Sequence, residues 1–287
     1  MIARIRRISI ALGLQIALVA PAALAAAAER VEFFSRDGST RLVGYVFAPT
    51  TPPPWPAVVM LHGRSGPYSA LAKGVYDAST LSMRHKQWGA FWAERGYLAL
   101  HVDSFGPRGH AQGFPFGSYA SRPAAVSEQT VRPLDAYGAL DYLRRRDDIV
   151  KDRIGLQGWS NGAMTGLASL GPQAPGARDP TPVSAFRAAL LFYPGCRIQA
   201  EQDYRPYTPT VLFIGSDDEE VAALACRQLV ERTRTRGVEH FELVWYDGAT
   251  HSFDDPGKRR QSVEANRSAR SDAMRRSEAF FRQHLRE

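Results

Sequence analysis

The stretch Gly158-Trp159-Ser160-Asn161-Gly162 constrains this chain more than any other. It reads G-x-S-x-G and falls where a strand gives way to a helix: residues 153–157 read as a short strand and residues 163–170 as a helix. A strand that turns directly into a helix around one serine leaves no space for side chains two residues before or after it, so both flanks are glycine. The serine is lifted clear of the turn, and the amide of the next residue can face an oxyanion. The five-residue pattern alone recurs by chance in about one chain in ten of this length. The strand–turn–helix context gives it meaning.

The rest of the chain supplies that context. Apolar runs alternate with stretches of helical period, the pattern of an α/β fold with a mostly parallel central sheet flanked by helices. Residues 31–34 and 41–47 predict an opening antiparallel pair. Further strands are predicted at 57–61, 97–102, 154–157, 188–192, 211–214 and 241–245. Helices are predicted at 87–95, at 262–285, and where Val131, Leu134, Tyr137, Leu140 and Leu143 recur every three residues behind Pro133. In such sheets chemistry sits just beyond the carboxyl ends of the strands. The residues at those positions are His62-Gly63-Arg64, Asp103-Ser104, Ser160, Asp217-Asp218 and His251.

The first residues read differently. Residues 1–7 carry Arg4, Arg6 and Arg7, residues 8–20 are almost wholly apolar, and Ala23-Leu24-Ala25 and Ala26-Ala27-Ala28 offer small-residue cleavage sites. This is the three-part pattern of a secretory signal peptide, expected at 1–25 with cleavage as late as 28, followed by one domain over 26–287. The apolar run is too short, and too interrupted by Gln15 and Pro21, for a membrane span. No membrane attachment is expected after cleavage, and the protein is expected to be exported, periplasmic or secreted. An oxidising compartment makes Cys196 and Cys226, the only cysteines, candidates for one disulfide. Loss of the leader's three arginines lowers a formal net charge of +7 by three. The arginines of 258–286 are interleaved with acids, as on a solvated helix face, so no nucleic-acid partner is expected.

A serine hydroxyl becomes a nucleophile when a base takes its proton. That base is usually a histidine held in one tautomer by a carboxylate, and in sheets of this kind the chain order is serine, acid, histidine. Three histidines follow Ser160. His240 opens a strand and belongs at the far end of the sheet, and His284 lies among charges in the terminal helix. His251, in the loop after the last strand, is the predicted base. The acid should follow the strand at 211–214, where Asp217, Asp218, Glu219 and Glu220 offer four carboxylates. Glu219 and Glu220 are expected to open the next helix, whose positive end suits acids. The two oxyanion donors are predicted to be the N–H of Asn161 and, from the loop His62-Gly63-Arg64-Ser65-Gly66, the N–H of Arg64.

Four segments, His62-Gly63-Arg64-Ser65-Gly66-Pro67, Asp103-Ser104-Phe105-Gly106-Pro107-Arg108-Gly109, Gly158-Trp159-Ser160-Asn161-Gly162 and His251-Ser252-Phe253, together resemble the dienelactone hydrolase family of α/β-hydrolases. The resemblance runs over roughly residues 41–281 and implies the α/β-hydrolase fold. Residues 215–226 resemble that family's acid loop, which implies Asp218 as the acid and leaves Asp217 to cap the next helix. The enzymes that gave the family its name use a cysteine nucleophile where this chain has Ser160. The implied substrate is therefore a small carboxylic ester or a lactone, cleaved through an acyl-enzyme, with no cofactor.

The connection from 193 to 210 is too short for a large lid, so residues 64–86 are expected to line the pocket. Tyr68 and Tyr76 are candidate walls, Trp88 fits ordinary core packing better, and Arg108 is a candidate partner for a substrate carboxylate. No H-E-x-x-H or comparable cluster points to a metal. Two other readings share the scaffold. A prolyl-oligopeptidase-type peptidase is disfavoured because no propeller sequence precedes the domain. A non-catalytic secreted binding protein is disfavoured by Ser160, Asp218 and His251 standing in the required order.

Overall fold

The computed structural model describes residues 28–177 and 179–287; the expected signal peptide at 1–25 lies outside them. The strands are β1 (Glu29–Phe34), β2 (Arg41–Phe47), β3 (Trp55–Leu61), β4 (Leu98–Asp103), β5 (Ile149–Trp159), β6 (Ala188–Phe192), β7 (Thr210–Gly215) and β8 (Phe241–Tyr246). The helices are α1 (Met83–Glu94), α2 (Arg132–Arg145), α3 (Asn161–Leu170), α4 (Arg197–Ala200), α5 (Ala223–Thr235), α6 (Lys258–Gln261) and α7 (Glu264–Leu285). The sheet runs β1-β2-β4-β3-β5-β6-β7-β8. β1 and β2 are antiparallel to their neighbours, and every pair from β4 to β8 is parallel. This is the predicted mostly parallel sheet of an α/β-hydrolase.

β4, β6 and β7 are buried along their whole length, and β3 is buried after Trp55. A parallel strand hidden on both faces reads as a continuous apolar run, which is why these strands were visible as such. The two faces can be assigned along β5. A Cβ on Gly155 would touch Phe281 and Leu285 of α7, and Gln157 accepts a hydrogen bond from Trp92 of α1 at 2.6 Å. α1 and α7 therefore share the face of odd-numbered β5 residues, and the rings of Trp92 and Phe281 meet at 5.1 Å. Gly158, on the other face, lies against Gly162 and Ala163 of α3. α2 joins α3 there, with the Tyr137 hydroxyl donating to Ser169 O at 2.7 Å.

Two elements depart from expectation for local reasons. β5 begins at Ile149 rather than near 153, because the edge of β3 offers pairing at Trp55 across an irregular register even though Lys151 and Asp152 face solvent. α1 begins at Met83 rather than 87; Ser82 caps it by accepting from His85 N, ahead of any periodic apolar residue. The closing helix expected at 262–285 is α7, and the short α6 precedes it across Ser262 and Val263. Cys196, at the start of α4, is disulfide-bonded to Cys226 of α5. Among the described residues no helix is long and apolar enough to cross a membrane.

Candidate active site

β5 ends at Trp159 and α3 begins at Asn161, so Ser160 alone makes the turn. Its φ of 51° and ψ of −115° are a conformation that a residue with a Cβ rarely adopts, at a cost on the order of 1–3 kcal/mol. The flanking glycines make the turn possible. A Cβ on Gly158 would run into the carbonyl of Gly162, and one on Gly162 into the carbonyls of Leu61 and His62. Gly63 packs directly on the turn, with its Cβ position 3.3 Å from Trp159 O and 3.4 Å from the Ser160 side chain. Neither Arg64 N nor Asn161 N has a hydrogen-bond partner among the described residues.

The loops after β7 and β8 bring two more groups to the serine. His251 Nε2 stands 3.0 Å from Ser160 Oγ, and His251 Nδ1 stands 2.8 Å from Asp218 Oδ2 and 3.0 Å from Oδ1. A carboxylate can only accept, so Nδ1 carries the ring proton and Nε2 is left with a lone pair aimed at the hydroxyl. The Asp218 side chain is fully buried and its Oδ1 also accepts from the amides of Glu220 and Val221, both at 2.9 Å. The Tyr193 ring packs on the imidazole with centroids 4.6 Å apart. Base and acid are thus each held by more than their mutual contact.

The neighbouring carboxylates do not behave as the sequence suggested. α5 opens only at Ala223, so Glu219 and Glu220 begin no helix, and Asp217 caps none; its carboxylate accepts from Ser216 Oγ at 2.7 Å. Glu219 accepts from His251 N at 2.9 Å and pairs with Arg260 at 2.6 Å. Glu220 forms a two-pronged pair with Arg64, at 2.9 and 3.0 Å, with one oxygen 3.7 Å from His251 Nε2. Burial raises the Glu220 carboxyl, but the Arg64 hydrogen bond and the surrounding charges outweigh it and hold it below the usual range.

Arg108 requires correction. Its guanidinium is paired with Asp135 at 2.8 and 2.9 Å and with Asp37 at 3.1 Å, and it bonds Ser104 O at 2.8 Å. With both terminal nitrogens engaged by protein, and outside the lining of both cavities at Ser160, it is not placed to meet a substrate carboxylate. Tyr68 does line a cavity, but its hydroxyl is taken: it donates to Asp103 Oδ2 at 2.9 Å and meets Tyr45 OH at 2.7 Å. Trp88 belongs to the core, and its indole N–H donates to Asp254 at 2.9 Å.

Asp254 is the residue the sequence reading missed. It is buried three positions after His251, and it accepts from Trp88 at 2.9 Å, from Trp159 at 2.8 Å and from the Tyr193 hydroxyl. Trp159 precedes Ser160, and Tyr193 covers His251. One carboxylate therefore ties the serine turn to the histidine's support. The only sequence signal was an acid pair, Asp254-Asp255, in the histidine loop. Behind the turn, His62, His85 and His101 are buried together, and His101 lies 4.0 Å from His85 between ring centroids. Burial lowers all three below the ordinary histidine value of 6.5, His85 to about 3.

Two cavities meet at Ser160, one of about 610 Å³ and one of about 500 Å³, and both are lined by Arg64, Ser160 and Glu220. His251 lines only the larger and Asn161 only the smaller. No group of His, Cys, Asp and Glu that could hold a metal ion occurs among the described residues. A hydroxyl, a base with its lone pair on that hydroxyl, and a buried carboxylate behind the base are the parts needed for acyl transfer.

Comparison with known proteins adds the following. Residues 42–285 match the model of the dienelactone hydrolase family. Comparison with curated proteins finds no match. Among solved structures, a dienelactone hydrolase-like promiscuous phosphotriesterase from metagenomic libraries is 20% identical, with a TM-score of 0.65, over 90% of this chain and 98% of that one. Esterase 2 of Thermogutta terrifontis, phosphorylated by paraoxon, is 18% identical with a TM-score of 0.62, over 92% of this chain and 97% of that one. A protein of Klebsiella pneumoniae named as a dienelactone hydrolase is 15% identical with a TM-score of 0.64, over 90% of this chain and all of the other (100%). At these identities the likeness is one of fold.

Proposed function

We propose that this chain, which belongs to the dienelactone hydrolase family and is a hydrolase acting on esters, works through Ser160, His251 and Asp218. The observation that carries the reading is the continuous string Ser160 Oγ, His251 Nε2, His251 Nδ1, Asp218, with links of 3.0 and 2.8 Å. Ser160 Oγ attacks the carbonyl carbon of an ester or lactone while its proton passes to His251 Nε2. The oxyanion that forms is received by the amides of Asn161 and Arg64. As the carbonyl re-forms, the bond to the leaving oxygen breaks and His251 returns the proton to that oxygen. Water then attacks the acyl-serine, giving one proton to His251, which passes it back to Ser160 Oγ as the acid departs. Asp218 keeps the imidazole in one tautomer and stabilises its charged form; no cofactor is required. The Ser160 conformation supports the reading because strain of this kind persists where a side chain must be presented to a cleft.

The substrate class is a small-molecule carboxylic ester or lactone. Export through a signal peptide at 1–25 completes the reading, supported by the arginine, apolar and alanine series there and by the Cys196–Cys226 disulfide. The test is hydrolysis of p-nitrophenyl esters and simple lactones by wild type and by Ser160→Ala. The variant should lose about three orders of magnitude or more in kcat. Equal turnover by the two proteins would remove Ser160 from the mechanism.

A further inference from the structure

Glu220 joins two parts of the site that come from opposite ends of the chain. Its amide donates to Asp218 Oδ1 at 2.9 Å, which ties its backbone to the acid behind His251. Its carboxylate accepts from Arg64 Nη2 at 2.9 Å and from Arg64 Nε at 3.0 Å, which ties its side chain to the loop after β3. Phe114 holds Arg64 as well: its amide donates to Arg64 O at 2.8 Å, and its carbonyl accepts from Arg64 Nη1 at 3.3 Å. A string of bonds therefore runs from Asp218 through Glu220 to the residue whose amide receives the oxyanion in the reading above. A two-pronged guanidinium–carboxylate pair fixes orientation as well as distance, so it can set where the Arg64 backbone stands.

The same carboxylate faces the base. Glu220 Oε2, the oxygen bonded to Arg64 Nε, lies 3.7 Å from His251 Nε2, the atom that takes the serine's proton. The two side chains are only 14% and 2% exposed, so water screens them weakly. Burial raises the Glu220 carboxyl, yet Arg64 and the charges around it outweigh that, so it is an anion at neutral pH. Among the described residues, Asp218 and Glu220 are the carboxylates within 4.0 Å of the ring nitrogens. The charges farther out engage one another: Glu219 pairs with Arg260, and Asp254, which takes the Tyr193 hydroxyl, shares Arg84 with Asp255. Lys258 lines the larger cavity from the exposed start of α6. When Nε2 gains its proton, the imidazolium thus has an anion near each nitrogen. An unpaired carboxylate at the oxyanion loop would repel the oxyanion, and Arg64 neutralises it.

Resting on the serine-hydrolase reading, we propose that Glu220 is a positioning residue with two tasks: its pair with Arg64 sets the Arg64 amide for the oxyanion, and its charge stabilises the imidazolium at His251. The two tasks separate in variants. Glu220→Gln keeps an acceptor for Arg64 and loses the charge, Glu220→Ala loses both, and Arg64→Met keeps the amide and leaves the carboxylate uncompensated. The assay is hydrolysis of p-nitrophenyl acetate, which is neutral across the range, with kcat and KM measured from pH 4.5 to 9. Glu220→Ala should lower kcat about tenfold with little change in KM, and Glu220→Gln should restore it to within about threefold of wild type. The low-pH limb of kcat/KM should move in opposite directions. Losing the anion disfavours protonation of the base, so Glu220→Gln should shift the limb's midpoint down by about half to one pH unit; losing the cation favours it, so Arg64→Met should shift the midpoint up by about as much. A pair that only braced the loops would move neither midpoint. Midpoints within about 0.2 unit of wild type, shifts of the same sign, or a glutamine variant as slow as the alanine one would overturn the proposal, while turnover that still depends on Ser160 would keep the serine hydrolase. Wild-type turnover by Ser160→Ala, or no turnover and no covalent labelling of Ser160 in wild type, would overturn both.

Discussion

Replacing Asp254 by alanine should damage both the fold and the site, and the structure sets the size of the effect. The carboxylate accepts from the indoles of Trp88 and Trp159 at 2.9 and 2.8 Å and from the hydroxyl of Tyr193, and all of these groups are buried. Asp254→Ala strands three buried donors, each costing about 1–3 kcal/mol. Relief of the buried carboxylate's own desolvation offsets part of that sum, leaving a net loss of about 4 kcal/mol. In a domain of this size 1 kcal/mol moves Tm by about 2–4 °C, so the expected fall is roughly 8–16 °C. Asp254→Asn is the informative partner. Its carbonyl can accept from both indoles while its amide donates to the Tyr193 oxygen, so the expected loss is less than half as large. Thermal unfolding followed by circular dichroism gives Tm, and ester hydrolysis well below the lower Tm gives kcat. Asp254→Ala should lower kcat about tenfold with little change in KM, because Trp159 and Tyr193 lose their common anchor. A Tm within about 3 °C of wild type, or an asparagine variant less stable than the alanine one, would refute this reasoning.

The remaining predictions address other parts of the same framework. His62, His85 and His101 stay neutral when folded far below 6.5, His85 to about 3, whereas the unfolded chain takes up their protons near 6.5. Stability should therefore fall as pH drops below 6.5, by about 1.4 kcal/mol per unit for each histidine. His101→Phe should flatten that slope by about a third in denaturant titrations between pH 6 and 4.5, and an unchanged slope would show that the histidines do not govern acid sensitivity. The Cys196–Cys226 bond spans a separation of 30 residues, for which loop-closure entropy gives about 3–4 kcal/mol. The double serine variant should accordingly melt roughly 7–14 °C lower, a result that an unchanged Tm would contradict. Gly162→Ala would press its Cβ into the carbonyls of Leu61 and His62. It should lower kcat by about a hundredfold or more in folded protein, and activity within fivefold of wild type would show that the turn has more room than its geometry implies.

What the sequence revealed and what it hid follow from range. Ser160 and His251 could be named because each stands just after a strand visible as an apolar run; the same placement put the acid among residues 217–220, and the family resemblance singled out Asp218. The glycine requirement at 158 and 162 is likewise local, and the structure attributes it to close backbone approach. What stayed hidden depends on partners far away in the chain. Asp254 meets residues 61, 95 and 166 positions distant, and no spacing rule encodes such a meeting. Arg108 looked free for substrate because nothing near it in sequence revealed Asp135, 27 positions on, or Asp37. The loop acids were misread in the same way. Glu219 and Glu220 suit a helix start by type, yet Arg260 and Arg64 claim them before the helix begins.

The central claim is that Ser160 is a nucleophile activated by His251. Brief exposure of the folded protein to a fluorophosphonate, followed by peptide mass spectrometry, tests it most directly. The adduct should sit on the peptide containing Ser160, and His251→Ala should slow its formation by about a hundredfold or more. An adduct on another residue, or equal labelling rates with and without the histidine, would contradict the account.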